Sequence, residues 1–427
     1  MKVLVAGASG LIGAEVRGAL LARGHSVVAL ARPGARTLPM GAETVLLDLA
    51  VATEADWSPI LVGVDAVVNC VGVLQASTAD SPDAAHASGP ARLFAACEAA
   101  GVRRVLHFSA VGVDRGARSS FSATKAEGDA ALSARDLDWV ILRPSVVLGR
   151  AVYGASALFR GLAALPWVPR AKDAGPLQVV RLEDVVATVV HLVETPEPAR
   201  VTLELVGPER LSFDEVVALY RRWYGWAPAR SAALPAALFG MLYRIGDVAA
   251  WFGWRPAVRS NAQAEIVRGA VGDPAEWRRA TGIEPRRLAD ALAESPPSVQ
   301  DRWFAPLFLL KPFLFIVLSL FWIATGVVSL GPGYAIGVEH MRLGGAGALS
   351  GPSVIAGGLA DIAVGVAIAF RRTARAGLYA AIAISLFYAL AGTILRPDLW
   401  IEPLGPMLKI GPMIVLNLVA LAVLEDR

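Results

Sequence analysis

The sequence predicts an α/β domain with a doubly wound parallel sheet, followed by an all-α bundle of four transmembrane helices. Three observations predict this fold class. At the N-terminus an apolar strand leads into a glycine-rich turn and then a helix. Apolar strands and helical segments continue to alternate as far as residue 205, which is typical of a parallel sheet covered on both faces. After Trp303 charged residues become sparse, and the mean hydropathy of +0.52 is too high for an ordinary soluble chain.

The glycine-rich turn follows the strand at 3–6 and has the spacing G-x-x-G-x-x-G. A strand, a turn and a helix in this order place free N–H groups where a pyrophosphate binds. Gly7 allows the tight turn, Gly10 allows close approach of the backbone to phosphate, and Gly13 allows close packing of the helix on the strand. The alternative is a glycine-rich turn without a ligand. We predict a dinucleotide site formed by Gly7, Ser9, Gly10, Leu11, Ile12 and Gly13.

Two residues that follow predicted strands bear on the choice of dinucleotide. Arg32 ends the second strand, where an acid would bind a ribose 2′-hydroxyl and an arginine accommodates a 2′-phosphate. It therefore favours NADP(H) over NAD(H), the alternative being a solvated surface arginine. Asp48 follows the third strand and is a candidate contact for the adenine amino group or, equally, a turn residue. Strands are predicted at 26–32, 44–47, 66–71, 105–109 and 139–144, and a helix at 90–100.

Six short stretches together resemble the extended and atypical branch of the short-chain dehydrogenase/reductase superfamily. They are GASGLIG at 7–13, DL at 48–49, NCVG at 69–72, FSAVGV at 108–113, FSATKAEGD at 121–129 and LRPSVVLG at 142–149. The resemblance covers about the first 300 residues and implies a Rossmann domain that binds NAD(P). Besides the glycine turn, Arg32 and Asp48, it implies cofactor contacts from Leu49, Cys70, Val71, Gly72, Lys125 and Pro144.

In that superfamily a serine, a tyrosine and a lysine four residues after the tyrosine form a proton relay. Ser109 matches the serine and Lys125 the lysine, and both are the expected catalytic residues. The tyrosine position is Phe121, and a phenyl ring cannot donate a proton to a carbonyl. Lys125 can still hold the nicotinamide ribose, and Ser109 can donate to a ligand or cap its strand. This pattern resembles the NADPH-binding accessory subunit of respiratory complex I, which is thought to bind its cofactor structurally.

The first domain is predicted to cover residues 1–300. Within it, residues 205–300 are predicted to form a variable segment on the substrate side. Within this segment an amphipathic helix is predicted, and because Arg244 and Asp247 interrupt it we do not expect it to span a bilayer. We expect its apolar face to be buried against its own domain, with a substrate cleft or the membrane surface as alternatives. That face consists of Leu238, Met241, Leu242, Ile245, Val248 and Phe252.

Residues 301–427 are predicted to form four membrane spans, at 313–330, 354–370, 376–395 and 407–424. The loop 371–375 carries three arginines and should be cytoplasmic. The chain is therefore expected to be a multi-pass inner-membrane protein with its Rossmann domain and both termini in the cytoplasm. The span pattern and the ending at 395–421 resemble the DoxX-like family, some members of which have been linked to quinone-coupled electron transfer. Asp361 lies mid-span. We expect it either to bind a proton or contact a quinone headgroup, or to face the bundle core with a hydrogen bond to a residue such as Asn417.

These features favour an NADP(H)-binding oxidoreductase that acts at the bilayer on a quinone or lipid. The alternatives are an NADPH-binding assembly protein of a membrane redox complex, and a nucleotide-sugar or isoprenoid-lipid modifying enzyme. The net charge of +3 implies no nucleic-acid partner. The two cysteines, Cys70 and Cys97, suit a reducing compartment, and the scattered histidines predict no metal site.

Overall fold

The chain forms two compact units in a computed structural model. The first unit comprises Met1–Asp247 and Ala257–Ala305, and the second comprises Val248–Pro256 and Pro306–Arg427. The division after residue 305 differs from the predicted limit at 300/301, which stays a prediction, and the short segment 248–256 groups with the second unit. The structure describes residues 1–34, 40–73, 81–115, 119–170, 173–197, 199–233 and 235–425.

The first unit is built on a seven-stranded sheet whose paired strands all run parallel, as predicted. The strand order is β10-β6-β5-β4-β1-β2-β3. The described strands are β1 Lys2–Ala6, β2 Ser26–Ala31, β3 Glu43–Leu46, β4 Ala66–Asn69, β5 Arg104–Phe108, β6 Asp138–Pro144, β7 Val147–Leu148, β8 Trp167–Arg170, β9 Val180–Arg181, β10 Val201–Leu205 and β11 Arg230–Ala233.

Helices cover both faces of this sheet because the side chains of each strand alternate between two hydrophobic cores. In β1, Val3 and Val5 belong to one core, and Leu4 and Ala6 belong to the other. The described helices before residue 299 are α1 Leu11–Ala22, α2 Glu54–Ile60, α3 Gly89–Ala99, α4 Ser120–Ser133, α5 Ala155–Ala163, α6 Leu182–Glu194, α7 Phe213–Trp223, α8 Ala236–Trp251, α9 Ser260–Arg268, α10 Ala275–Thr281 and α11 Leu288–Glu294. A π-helical turn, Ala84–Ser88, precedes α3.

The order in which strands are added to the sheet reverses between β1 and β4. From β1 it proceeds outward to β2 and β3, then crosses back to β4 on the other side of β1. A reversal of this kind leaves a crevice at the carboxyl ends of the two strands, where ligands of doubly wound sheets bind. The glycine turn follows β1 and Cys70 follows β4, so both lie at this crevice.

The amphipathic helix is present as α8, but its expected burial against its own domain is wrong. Leu238, Met241 and Ile245 are 40%, 51% and 50% exposed. The helix packs with its opposite side instead. A Cβ at Gly246 would lie 1.9 Å from the carbonyl oxygen of Val258, so only a glycine allows the backbone of Val258 to approach this closely. With the helix packed on this side, its aliphatic side faces outward.

The second unit is helical. In the part of the chain that the structure describes, three helices are long and apolar enough to cross a membrane. They contain the spans predicted at 313–330 and 376–395, and all but the last residue of the span predicted at 354–370. The fourth apolar helix has 14 residues, about 21 Å, so the span predicted at 407–424 is shorter than expected. This helix begins at Ile410, so Pro412 lies in its first turn, where proline is tolerated. The helices are α12 Val299–Leu330, α13 Tyr334–Leu343, α14 Ser350–Ala369, α15 Ala374–Leu395 and α16 Ile410–Val423, with 3₁₀ turns at Gly347–Leu349 and Pro397–Trp400.

Candidate functional site

The turn after β1 has the backbone geometry that a dinucleotide requires. Gly7 has φ +77°, in the left-handed region, and a Cβ there would lie 3.1 Å from the backbone of Cys70. A Cβ at Gly13 would lie 2.2 Å from the carbonyl oxygen of Gly7. Gly10 is the N-cap of α1, whose first turn contains no acidic residue. The turn therefore fits the pyrophosphate of a dinucleotide, and its individual contacts, with those of Ser9, Leu11 and Ile12, stay predictions.

The two residues expected to bear on the choice of dinucleotide, Arg32 and Asp48, follow β2 and β3. Arg32 follows β2 directly and is exposed. The Asp48 carboxylate accepts a hydrogen bond of 3.0 Å from the backbone N–H of Ala50, so it serves as a turn residue. Leu49 buries its side chain in the core between α2 and the sheet. Adenine contacts from Asp48 and Leu49 stay predictions.

Lys125 joins the carboxyl ends of β4 and β5. Its side chain is buried, and the ammonium group donates hydrogen bonds to the carbonyl oxygens of Phe108, at 2.7 Å, and Val71, at 3.2 Å. Burial lowers the pKa of Lys125 to about 8, although the nearby charge of Asp129 opposes that shift. The lysine thus stands at the crevice, charged near neutral pH.

Ser109 lies on the same edge, at the end of β5, and its hydroxyl is already engaged. It donates a 2.9 Å hydrogen bond to Asp129, which also accepts 2.9 and 3.1 Å hydrogen bonds from Arg143. Burial raises the pKa of Asp129, although Arg143 and Ser109 oppose that shift. The sequence prediction missed Asp129 as a site residue. Its spacing of four from Lys125, on one face of α4, is the signal that would have found it.

At the position of the expected tyrosine, Phe121 makes a ring contact instead of offering a hydroxyl. The ring of Phe121 packs edge-on against His86, with 5.3 Å between ring centroids. Nε2 of His86 accepts a 2.9 Å hydrogen bond from the backbone N–H of Val73, so Nδ1 carries the proton and donates to Thr124 at 3.0 Å. Burial, together with the charge of Lys125, lowers the pKa of His86 to about 2. This histidine, also missed from the sequence, is neutral and holds the backbone at Val73.

The remaining predicted contacts lie on the loops around Lys125. A Cβ at Gly72 would stand 3.6 Å from the Lys125 nitrogen. Burial raises the pKa of the Cys70 thiol to about 12, so it is not a thiolate. The Pro144 carbonyl oxygen accepts a 3.1 Å hydrogen bond from Val111 N–H. Among the described residues, no group of three or more His, Cys, Asp and Glu could hold a metal ion.

The second unit contains a separate buried polar pair. The Tyr388 hydroxyl on α15 donates a 3.0 Å hydrogen bond to Asp361 on α14, which is 6% exposed. The suggested partner, Asn417, instead donates through its amide to the carbonyl oxygen of Met413 on its own helix. Asp361 therefore faces the helix bundle, and its partner is Tyr388.

The fold and this crevice define a nicotinamide-dinucleotide-binding protein with a membrane domain. Two family profiles match the chain, one described as NAD(P)H-binding, over residues 7–157, and the other as the DoxX-like family, over residues 319–418. A 3-diazoavenalumate denitrifying reductase of Streptomyces sp is 31% identical in an alignment of 316 positions that covers 67% of this chain and 96% of the relative. The chain therefore belongs to the NAD(P)H-binding, short-chain-dehydrogenase-like family of that reductase, fused here to a DoxX-like domain.

Other proteins are also similar to this chain. A ceramide reductase of Caulobacter vibrioides is 26% identical in an alignment of 317 positions that covers 67% of this chain and 97% of the relative. An uncharacterized protein of Mycobacterium tuberculosis is 26% identical over 222 residues, 52% of this chain, but only 23% of that relative is covered. The structure of MoeE5 in complex with UDP-glucose and NAD has a TM-score of 0.53 at 21% identity, covering 71% of this chain and 98% of that one, which shows the fold alone.

Proposed function

We propose that the chain is a membrane-anchored NADP(H)-dependent oxidoreductase whose acceptor is hydrophobic, either a quinone or a lipid carbonyl. The observation that carries the proposal is a dinucleotide crevice on the same chain as three helices of membrane-spanning length. Two relatives are named as reductases, and the name of one of them contains a lipid, ceramide. Arg32, exposed directly after β2, supports the preference for NADP(H).

Each element of the crevice has a separate role in this proposal. The turn at Gly7 and Gly13 holds the pyrophosphate, and the Lys125 ammonium holds the nicotinamide ribose hydroxyls. Asp129 holds Ser109 and places a negative charge near Lys125, which favours the charged lysine. Bound NADPH supplies a hydride, and reduction of a quinone or carbonyl also consumes one proton. The phenyl ring of Phe121 cannot donate a proton, so the proton comes from water or from a group on the substrate side.

We further propose four membrane passes, with both termini in the cytoplasm. Contacts inside the second unit support an even number of passes. Arg371, in the basic loop, donates a 3.0 Å hydrogen bond to the carbonyl oxygen of Leu424, and Arg375 pairs with Glu425. Lys311, near the start of the first span, also reaches Leu424 at 3.4 Å. The start of the first span, the basic loop and the C-terminal end thus share one end of the bundle, and the positive-inside rule favours the cytoplasm for that end.

The reaction is tested by following NADPH absorbance under anaerobic conditions, with the full chain in lipid nanodiscs. Short-chain quinones and a long-chain aldehyde are the acceptors, and Lys125→Met is the matched variant because it keeps the length of the side chain. We expect oxidation with at least one acceptor class and loss of most of it in the variant. No oxidation above background with either class would contradict the proposal.

Phe121 favours a second candidate, in which bound NADPH stabilises the fold of an assembly protein and is not consumed. A ligand at a hundred times its Kd adds about 2.7 kcal/mol to the free energy of unfolding. Thermal unfolding with and without NADPH, in the absence of any acceptor, tests this candidate. It fails if the melting temperature is unchanged, whereas a raised melting temperature without turnover in the oxidation assay supports it.

A further inference from the structure

An exposed row of apolar side chains lies along one side of α8. We call it the α8 stripe. We infer that the α8 stripe lies in the surface of a lipid bilayer, as an interfacial anchor separate from the membrane spans. The inference concerns only the location of this helix and does not depend on the proposed reaction. The stripe consists of Leu238, Met241, Leu242, Ile245 and Val248, which are 40%, 51%, 44%, 50% and 58% exposed.

The stripe is the side of α8 that its own unit leaves uncovered. On the opposite side, Gly246 is buried against the backbone of Val258, and Asp247 pairs with Arg259 at 3.3 Å. These contacts pack α8 on the side away from the stripe. Five aliphatic side chains at helical spacing, all turned away from those contacts, form a continuous apolar surface of the kind that enters the headgroup region of a membrane.

The segment that follows α8 connects the stripe to the ends of the membrane spans. Phe252 packs on Phe370, with 4.9 Å between ring centroids, and its carbonyl oxygen accepts a 3.0 Å hydrogen bond from Arg371 N–H. Trp254 donates a 2.7 Å hydrogen bond to the carbonyl oxygen of Ala369, the last residue of α14. A span ends where hydrocarbon meets headgroups, so these contacts fix residues 252–254 at the depth of the bilayer surface.

Because α8 is one continuous helix that ends at Trp251, its C-terminal end must lie at nearly the same depth. Trp251 is 75% exposed there, and indole rings concentrate at membrane interfaces. Arg244 is exposed at the margin of the stripe, where a long basic side chain meets anionic headgroups. Continuity with the span ends, an interfacial tryptophan and a basic margin all favour lipid as the occupant, in preference to a second copy of the chain or a cover over a cleft.

The experiment places a nitroxide on the stripe of the full chain, in nanodiscs of phosphatidylcholine and phosphatidylglycerol. Ile245→Cys and Met241→Cys provide two independent positions, and Val51→Cys, at a residue 74% exposed in the first unit, is the matched control. The unsubstituted chain reports any labelling of Cys70 and Cys97. Collision with oxygen, which concentrates in lipid, is compared with collision with a water-soluble nickel chelate.

We expect oxygen to relax the label at residues 241 and 245 more strongly than the nickel chelate does, and the reverse at residue 51. Stronger relaxation by nickel at both stripe positions would overturn the inference, because the stripe would then face water. Protection from both reagents would also overturn it, because protein would then cover the stripe. Dilution with unlabelled chain would in that case separate a second copy, which loses spin–spin broadening, from a cover within one chain.

Discussion

Lys125 is the residue whose chemistry depends most on its surroundings. It is buried between two backbone carbonyl oxygens, and its pKa of about 8 lies below the ordinary value of 10.5. The unfolded chain therefore binds more protons than the folded chain between these two pH values, so this group makes stability rise with pH across that window. Below about pH 8 the lysine is charged in the folded protein and can hold ribose hydroxyls.

The affinity for NADPH should accordingly fall as pH rises through the pKa of Lys125. If only the charged lysine binds, Kd increases about tenfold between pH 7 and pH 9. Calorimetric titration over that range measures the dependence. Lys125→Met should bind NADPH weakly and without this pH step. A step of the same size in that variant would assign it to another group.

Gly13→Ala tests the close packing of the glycine turn. The added Cβ meets the carbonyl oxygen of Gly7 at 2.2 Å, so α1 must shift and disturb the pyrophosphate site. We expect a lower melting temperature and loss of NADPH binding. Gly18→Ala on the same helix is the control, because nothing lies within 4 Å of its added Cβ, and it should stabilise the helix by up to about 1 kcal/mol. Unimpaired binding by Gly13→Ala would show that the turn does not hold the cofactor.

Phe121→Tyr restores a proton donor at the expected position. Its hydroxyl would lie on the α4 face that carries Lys125, four residues on. We expect faster reduction of a lipid aldehyde, by about 10²-fold if proton transfer limits the rate, with little change in NADPH affinity. Steady-state kinetics measure both, with Phe121→Leu as the control. Equal rates in the two variants would mean that the proton never passes through this position.

At the scale of elements, the first turns of α12 are anchored inside the first unit. Arg160 on α5 donates 2.7 Å hydrogen bonds to Asp301 and to the carbonyl oxygen of Gly149. Asp301 also accepts a 2.9 Å hydrogen bond from the N–H of Ser298 at the start of the helix. Burial raises the pKa of Asp301, but hydrogen bonds from Ser298 and the charge of Arg160 outweigh burial and leave it below its usual range.

Arg160→Ala should therefore destabilise the first unit, because it leaves a partly buried carboxylate without its counter-charge. Breaking such a pair costs about 3 kcal/mol. Thermal unfolding measures the effect, with Arg278→Ala as the control, since Arg278 pairs with Glu284 at the exposed surface. Equal melting temperatures for the two variants would contradict the anchoring role.

Local patterns account for the elements that were predicted correctly and for the errors. The strands and the glycine turn are readable because alternation and glycine spacing are properties of a few neighbouring residues. The periodicity of α8 identifies its apolar face, but what covers that face depends on Gly246 and the distant Val258. Asp129, His86 and Tyr388 were missed as site residues or partners because each meets its partner only after the chain has folded.

At the scale of the whole molecule, one chain joins an NAD(P)H-binding unit to a DoxX-like unit, a fusion that both family matches support. Burial of Lys125, the positive φ of Gly7 and the packing at Gly13 all serve one crevice in the first unit. In the proposed function, a cofactor held in this crevice supplies the reducing equivalents for an acceptor in the bilayer. Everything proposed about acceptors depends on that binding.

The central claim is that this crevice binds a nicotinamide dinucleotide and prefers NADP(H). It is tested most directly by titrating the full chain in nanodiscs with NADPH and with NADH, following the fluorescence of the reduced nicotinamide. We predict saturable binding of both, tighter for NADPH, with the preference lost in Arg32→Ala and binding lost in Gly13→Ala. The absence of saturable binding for either dinucleotide would contradict the account.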